Sequence, residues 1–180
     1  HHTPKRFAAF LKAVKEDSKG RAASVQKEIA FLMEREQEMS VLMDLLEAKE
    51  LPLRVTHNDT KLNNVMLDAK TGKGVCVIDL DTVMPGLSVN DFGDSIRFGA
   101  NTAAEDETDL SKVSLDLELY ERYVSGFLQG CQGSLTQKEL EMLPMGAKMM
   151  TMECGMRFLA DYLSGDTYFR IHREHHNLDR

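Results

Sequence analysis

The sequence predicts a mainly α protein with a small β cluster, an α+β chain, and three features of the pattern predict it. Apolar residues recur at helical spacing before residue 50 and again after residue 109. Between these segments lie three short runs with strand character, separated by turn-forming residues. No internal repeat or low-complexity tract interrupts the order, so we expect a single helical unit over residues 1–180.

Two helices are expected in the first fifty residues. Thr3-Pro4 is a typical helix start, with Thr3 as the N-cap, and apolar residues follow at helical spacing until Lys19-Gly20. A longer helix is expected over about residues 22–50, because an apolar line runs through it and is broken only at Glu36. Leu51-Pro52 ends that helix.

Three strands are expected in the middle of the chain, over residues 53–57, 64–67 and 75–78. Turn-forming residues are concentrated over 68–74, between the second and the third strand. The third strand is apolar on both faces, so we expect it to be buried.

Three further helices are expected in the last third of the chain. The first ends in the turn at 130–134, and Thr136 with Glu139 has the spacing of a capping box that starts a long Met-rich helix to Gly165. We expect Asp166 to cap a last helix that runs to Arg180. Three histidines at 172, 175 and 176 are interpreted as its solvated polar end, because no Cys or carboxylate clearly completes a zinc site.

Composition and charge exclude several kinds of partner. The 22 Lys and Arg against 29 Asp and Glu give a net charge of −7, so the chain lacks the basic footprint of a nucleic-acid or anionic-membrane binder. No apolar run approaches the roughly 18 residues that span a bilayer, and the first residues lack a signal-peptide pattern. Cys76, Cys131 and Cys154 form no C-x-x-C and suit small, reduced core thiols, so we expect a cytoplasmic protein.

The unusual polar residues lie within and just after the β cluster. They form three segments: His57-Asn58-Asp59-Thr60-Lys61-Leu62-Asn63-Asn64, Ile78-Asp79-Leu80-Asp81 and Asp91-Phe92-Gly93-Asp94-Ser95-Ile96-Arg97. Phosphoryl transfer needs a carboxylate that orients the acceptor hydroxyl, hard oxygen ligands for Mg²⁺, and a cation beside the transferred group. The first two segments supply all three.

The H-x-D-x-x-x-x-N spacing of the first segment is that of the kinase catalytic loop. Asp59 is the candidate catalytic base, and Lys61 is the candidate cation beside the γ-phosphate. The Asn64 amide oxygen and the Asp79 carboxylate are candidate Mg²⁺ ligands. Asp81 stays open between a second metal ligand and a structural acceptor.

The other polar residues of the loop are given supporting roles. His57 is expected to brace the loop by hydrogen bonds and not to act as a base. Asn58, Thr60 and Asn63 are interpreted as turn residues or contacts on the substrate side.

The third segment contains a literal D-F-G at Asp91, yet Asp79 is the preferred metal ligand, because a strand leads directly into it. We expect Asp91 and Asp94 to cap the helix that follows and to pair with Arg97.

At these residues the sequence resembles the aminoglycoside phosphotransferase and choline kinase-like superfamily of small-molecule kinases. It looks most like N-acetylhexosamine 1-kinases, over nearly the whole chain, with Asn58 where that family usually has Gly. The resemblance implies the C-terminal lobe of the protein-kinase-like fold, ATP and Mg²⁺ as cosubstrates, and an amino sugar as acceptor. It implies Asp59 as the base, Asn64 and Asp79 as metal ligands, and Asp81 and Asp91 as support.

Kinases of this fold cover ATP with an N-terminal sheet lobe, and nothing before Asp59 has that pattern. Residues 4–50 are predicted to be helical, and the only G-x-G, Gly72-Lys73-Gly74, follows the catalytic loop. We therefore expect a C-terminal lobe with the N-terminal ATP-covering lobe absent. Such a chain should be weak or inactive alone, and its exposed face should favour self-association.

Two other hypotheses remain. A non-catalytic helical interaction module derived from a kinase lobe would explain the absent sheet lobe, but it need not retain Asp59, Asn64 and Asp79 together. A phosphohydrolase that uses Asp79 as nucleophile and Asp81 as acid would explain the D-x-D after a strand, but it leaves the H-x-D-x-x-x-x-N loop unexplained.

Overall fold

The computed structural model describes residues 1–180 and confirms the mainly α, α+β class. The seven helices are α1 (Thr3–Glu16), α2 (Gln26–Met33), α3 (Val41–Glu47), α4 (Ser88–Gly99), α5 (Leu117–Cys131), α6 (Gln137–Ser164) and α7 (His176–Asp179). The four strands are β1 (Arg54–Thr56), β2 (Val65–Leu67), β3 (Gly74–Val77) and β4 (Met84–Gly86). None of the helices combines the length and the apolar character that crossing a membrane requires.

Helix α6 is the centre of the molecule, and α1 and α4 pack along it. Its N-terminus has the predicted capping box, in which the Thr136 hydroxyl accepts from the Glu139 amide and the Glu139 carboxylate accepts from the Thr136 amide. Gly165 ends the helix in the left-handed conformation. The core that surrounds α6 is contributed by all three helices, including the fully buried Phe10, Phe92 and Met156.

Helices α4 and α6 cross with their backbones in contact. A Cβ atom built on Gly93 would overlap the carbonyl of Gly146, and one built on Gly146 would overlap the carbonyl of Val89. Only glycine permits this close approach, which fixes the first turns of α4 against the middle of the molecule.

The predicted helix over residues 22–50 is wrong, because the segment is broken into short pieces. A 3-10 turn (Ala22–Val25), α2, a second 3-10 turn (Glu36–Glu38) and α3 follow one another. Arg35 leaves the helical conformation with φ −107° and ψ 13°, next to the charged residue that interrupts the apolar line. The bend lets Leu32 and Leu42 join the same core from two differently directed helices.

Helix α1 begins one residue earlier than expected, because His2 and not Thr3 is the N-cap. The His2 side chain accepts from the Lys5 amide. The Thr3 hydroxyl is used elsewhere and donates to buried Glu153 of α6 at 3.0 Å.

The predicted helix from Asp166 to Arg180 is also wrong. Asp166 is left-handed with φ 59°. The buried Asp161 carboxylate accepts from the backbone amides of Thr167, Tyr168 and Phe169, each at 2.9 Å, and this folds the chain into a turn. Only the short α7 remains helical.

Two of the three C-terminal histidines, His175 and His176, make tertiary contacts. His176 is 3% exposed, and its Nε2 lies 3.1 Å from an Asp106 carboxylate oxygen, while its Nδ1 accepts from the His172 amide. His175 lies 3.0 Å from the Tyr162 hydroxyl. The expectation of a solvated polar helix end is therefore wrong for His176.

The strands form two antiparallel ribbons. β1 pairs with β4, with Thr56 opposite Met84, and β2 pairs with β3, with Val65 opposite Val77. Strand β4 was not expected, because Pro85-Gly86 favours a loop in the sequence.

The prediction that the third strand is buried is wrong, because all four residues of β3 are exposed, Val75 by 67%. Apolar side chains of both strands of this ribbon, including Met66, Val75 and Val77, face outward. The same exposure removes Cys76 from the core, contrary to its predicted role.

Candidate functional site

The H-x-D-x-x-x-x-N segment forms a loop over residues 57–64 between β1 and β2, hereafter the catalytic loop. The Asp91 carboxylate anchors its beginning, because it accepts from the amides of His57 and Asn58, each at 2.8 Å. The Thr60 hydroxyl donates to the Asp91 carbonyl at 2.5 Å. Burial raises the pKa of Asp91 above its ordinary value, although the two loop amides act in the opposite direction.

The expectation that Asp91 caps a helix is wrong. Helix α4 begins at Ser88 with Leu87 as its N-cap, so Asp91 lies within the first turn and its carboxylate is free to hold the catalytic loop. Asp94 does pair with Arg97, at 3.0 Å, as expected. Arg97 also pairs with Glu105 at 2.8 Å and makes no hydrogen bond or ion pair with the catalytic loop.

Asn58 explains the departure from the glycine that the resembled family favours. Its backbone is left-handed, with φ 65°, a conformation that glycine adopts freely and Asn tolerates better than most residues. The side-chain nitrogen Nδ2 of Asn58 donates to the Thr82 carbonyl at 2.9 Å, a hydrogen bond that glycine could not make.

Asp59 is held by the two loop residues with which it was grouped. Lys61 Nζ lies 3.0 Å from Asp59 Oδ1, and Asn64 Nδ2 donates to Asp59 Oδ2 at 2.9 Å and to the Asp59 carbonyl at 2.8 Å. The Asn64 side-chain nitrogen therefore faces Asp59, and the oxygen Oδ1 of the same amide points elsewhere. Oδ1 makes no hydrogen bond within the chain, so it remains available as a ligand.

Asp79 follows a residue whose two backbone groups are both tied to the catalytic loop. The Ile78 amide donates to the Asn64 carbonyl at 2.9 Å, and His57 Nε2 donates to the Ile78 carbonyl at 2.9 Å. Asp79 is left-handed, with φ 63°, and its exposed carboxylate has no partner in the chain. The structure therefore ties the residue before Asp79 to Asn64 at one end of the β2–β3 ribbon.

His57 is a structural brace in this geometry. Its Nε2 carries the donated proton because the Ile78 carbonyl can only accept, and its Nδ1 is buried without a hydrogen-bond partner. This arrangement agrees with the bracing contact expected for His57.

Two residues outside the catalytic loop, Thr82 and Ser95, also hold it, and the sequence did not predict their contacts. The Thr82 hydroxyl donates to the His57 carbonyl at 2.7 Å, and the Ser95 hydroxyl donates to the carbonyls of Asp91 and Thr60. A lone hydroxyl in a turn or a helix gives no sequence signal for such a role. Asn63 and Asp81 are exposed, and their side chains make no hydrogen bond or ion pair in the chain.

The donor set fits a magnesium ion that protein ligands hold only in part. No three His, Cys, Asp or Glu side chains are grouped closely enough to hold a metal by themselves. Mg²⁺ is commonly held by one or two protein carboxylates together with phosphate and water oxygens. The Asp79 carboxylate matches that requirement, and the free Asn64 amide oxygen would add a neutral oxygen ligand.

A cavity of about 790 Å³ lies at the C-terminal end of α4. Arg97, Phe98 and Cys154 contribute to its wall, but no residue of the catalytic loop does. Of the predicted site residues only Arg97 borders it, which separates Arg97 from the group around Asp59.

A mainly helical chain with this loop, and with an aspartate following a strand tied to it, has the features of a kinase-like phosphotransferase. The profile of the phosphotransferase enzyme family matches residues 1–123, which include the catalytic loop, Asp79 and α4. The chain belongs to this family.

Proposed function

We propose that this chain is the catalytic and acceptor-binding lobe of an ATP-dependent small-molecule kinase. Its acceptor is a sugar hydroxyl, with an N-acetylhexosamine phosphorylated at C1 as the expected substrate. One observation carries the proposal: the Asp59 carboxylate is fixed by Lys61 and Asn64 while the residue before Asp79 is bonded to the same loop.

In the proposed reaction Asp59 orients the acceptor hydroxyl and takes its proton as the acceptor oxygen bonds to the γ-phosphorus and the bond to ADP breaks. Lys61, already beside Asp59, supplies positive charge next to the transferred group. Asn64 and Asp79 would hold Mg²⁺, with Asp81 as a further candidate ligand. When bound, Mg²⁺ neutralises negative charge on the phosphates.

Calorimetry with Mg²⁺ and a nucleotide, and separately with N-acetylhexosamine, tests this proposal. We expect binding heat for the Mg²⁺–nucleotide pair that vanishes in Asp79→Ala. Asp68→Ala is the matched control, because Asp68 is an exposed carboxylate in the turn of the same ribbon. Equal heats for Asp79→Ala and wild type, or no heat at all, would contradict the proposal.

A phosphotransfer assay tests the role of Asp59. In a form of the enzyme that turns over, Asp59→Asn should lower kcat by about 10²–10⁴-fold, the usual contribution of a general base. We propose that the 180-residue chain alone turns over slowly, because an ATP-covering sheet lobe is needed against the catalytic loop. Normal turnover by the 180-residue chain would refute that part.

The exposed β2–β3 ribbon favours a second candidate, a non-catalytic interaction module. Val75, Val77 and Met66 present apolar side chains to solvent, which is typical of a surface that another chain or domain covers. The calorimetry separates the two candidates, because an interaction module does not require Mg²⁺-dependent nucleotide binding.

A further inference from the structure

Glu153 is a buried carboxylate in the middle of α6, and the fold gives it specific partners. Its side chain is 2% exposed. One oxygen accepts from the Thr3 hydroxyl at 3.0 Å, and the other lies 2.8 Å from His1 Nδ1. A buried carboxylate needs such partners, because burial without them is costly.

The His1 ring connects Glu153 to the catalytic loop. Its Nε2 lies 3.1 Å from the carbonyl oxygen of Asn58, on the far side of the ring from Glu153. An ionised carboxylate and a carbonyl are both acceptors only, so each ring nitrogen must donate a proton. The geometry therefore requires the doubly protonated imidazolium form of His1.

The charges around this pair favour that form. Burial by itself would lower the pKa of His1, but the hydrogen bond and charge of Glu153, the Asn58 carbonyl and the charge of Asp94 outweigh it and raise the pKa. Burial opposes ionisation of Glu153, yet His1, Thr3 and Arg6 together lower its pKa. The positive charge of His1 also acts to lower the pKa of Asp91, the anchor of the catalytic loop.

We propose that Glu153 is a positioning residue for the catalytic loop and that it acts through the His1 imidazolium, which donates to the carbonyl of Asn58 immediately before Asp59. This inference rests on the proposed function, since the catalytic loop has a catalytic role only if that function holds. This link from Glu153 through His1 to the Asn58 carbonyl, hereafter the tether, is complete while His1 is protonated. It is lost as the pH rises through the raised pKa of His1.

An NMR titration of the full 180-residue chain tests the tether without measuring activity. The Asn58 carbonyl and the Asp59 amide belong to the same peptide group, so the Asp59 ¹⁵N shift reports on the hydrogen bond from His1. We expect the Asp59 amide and the His1 ring to titrate together, above the ordinary pKa of histidine. Independent titrations, or an Asp59 amide that does not respond, would overturn the proposal, and this measurement requires no variant.

Glu153→Gln then identifies the source of the charge. We expect the shared titration to move to lower pH and the amide-exchange protection of Asn58, whose amide donates to Asp91, to fall by roughly tenfold or more, as for loss of a charge-assisted hydrogen bond. Glu174→Gln is the control, because Glu174 is an exposed carboxylate beside another histidine, His175. It should leave both readouts unchanged, and equal effects of the two variants would refute the role of Glu153.

The two proposals fail separately. If Asp59 follows His1 but Mg²⁺–nucleotide binding is absent, the proposed function falls and the tether stands. If binding depends on Asp79 but Asp59 is silent in the titration, the tether falls and the function stands.

Discussion

At the scale of a single residue, Asn58 has a strained left-handed backbone, and its side-chain hydrogen bond to Thr82 helps to hold that conformation. The left-handed backbone turns the chain so that the amides of both His57 and Asn58 reach Asp91. The Asn58 side chain then ties the turn to the carbonyl of Thr82.

Substitution of Asn58 tests this balance. Asn58→Val should lower the free energy of unfolding by about 2–3 kcal/mol, because a β-branched residue is strained at positive φ and the side-chain hydrogen bonds with Thr82 and Thr56 are lost. Asn58→Gly loses the same hydrogen bonds but relieves the strain, so we expect a smaller loss, of about 1 kcal/mol. Urea unfolding of both variants checks this, and equal destabilisation by Val and Gly would contradict it.

Residue types and spacing were enough to predict Asp59, Lys61 and Asn64 as a group, because all three lie within one short loop. The resemblance implies Asp91 as a support residue, but its contacts with the loop amides do not follow from the residue pattern, because they depend on where α4 begins relative to β1. The link from Glu153 through His1 joins residues 152 positions apart, and no local pattern reports it.

At the scale of elements, the crossing of α4 and α6 places the anchor of the catalytic loop. Asp91 lies two residues before Gly93, at the point where α4 contacts Gly146. The position of the loop amides therefore depends on how closely these two helices approach.

Gly93→Ala should destabilise the fold by about 1–3 kcal/mol, the usual effect of overpacking, because its methyl group meets the backbone of α6. Gly126→Ala is the matched control, since Gly126 lies in α5 with open space around it. That variant should gain about 0.5–1 kcal/mol from helix propensity. Thermal unfolding compares the two, and a stabilising Gly93→Ala would refute the close crossing.

Glu139 joins three elements and gives stability a defined pH dependence. Burial opposes its ionisation, but hydrogen bonds from Arg54 of β1, Ser88 of α4 and the Thr136 amide outweigh burial and lower its pKa to about 2. A carboxylate with a lowered pKa stabilises the fold above its ordinary value of 4.5 and loses that contribution as the pH falls towards 2.

We therefore expect the wild-type chain to lose about 2–3 kcal/mol from this group on acidification, a loss that Glu139→Gln should not show. Urea unfolding at a series of pH values measures the difference. Parallel pH profiles for wild type and Glu139→Gln would contradict the assignment.

The elements that the sequence predicts well are those whose signal is local. The capping box at Thr136 is complete within four residues, and the strands that flank the catalytic loop follow from their apolar runs. The break at Arg35 and the turn that the Asp161 carboxylate holds are set by backbone conformation and side-chain hydrogen bonds, so helical spacing alone predicted one helix that is broken and another, after Asp166, that does not form. The burial expected for β3 assumed a layer on each face, and the fold supplies neither.

At the scale of the whole molecule, the β2–β3 ribbon exposes apolar side chains that do not pack into the core. Val75 and Val77 of β3 and Met66 of β2 remain outside the buried cluster. We propose that a sheet lobe of the kinase-like fold covers this face and that the chain alone associates with itself through it.

Light scattering checks this expectation. The wild-type chain should show a mass above that of a monomer, and Val75→Lys should shift it towards the monomer because a charge then lies on the apolar face. A strictly monomeric wild-type chain over a range of concentrations would contradict it.

The central claim is that Asp59, Asn64 and Asp79 surround one magnesium pocket, and paramagnetic broadening tests it most directly. Mn²⁺ added with a nucleotide to the ¹⁵N-labelled chain should broaden the amide signals of all three residues together, and more strongly than that of Asp68, which lies four residues beyond Asn64, roughly 13 Å along the strand. Broadening at Asp79 that spares Asn64 and Asp59, or equal broadening at Asp68, would show that the three residues do not share a metal site.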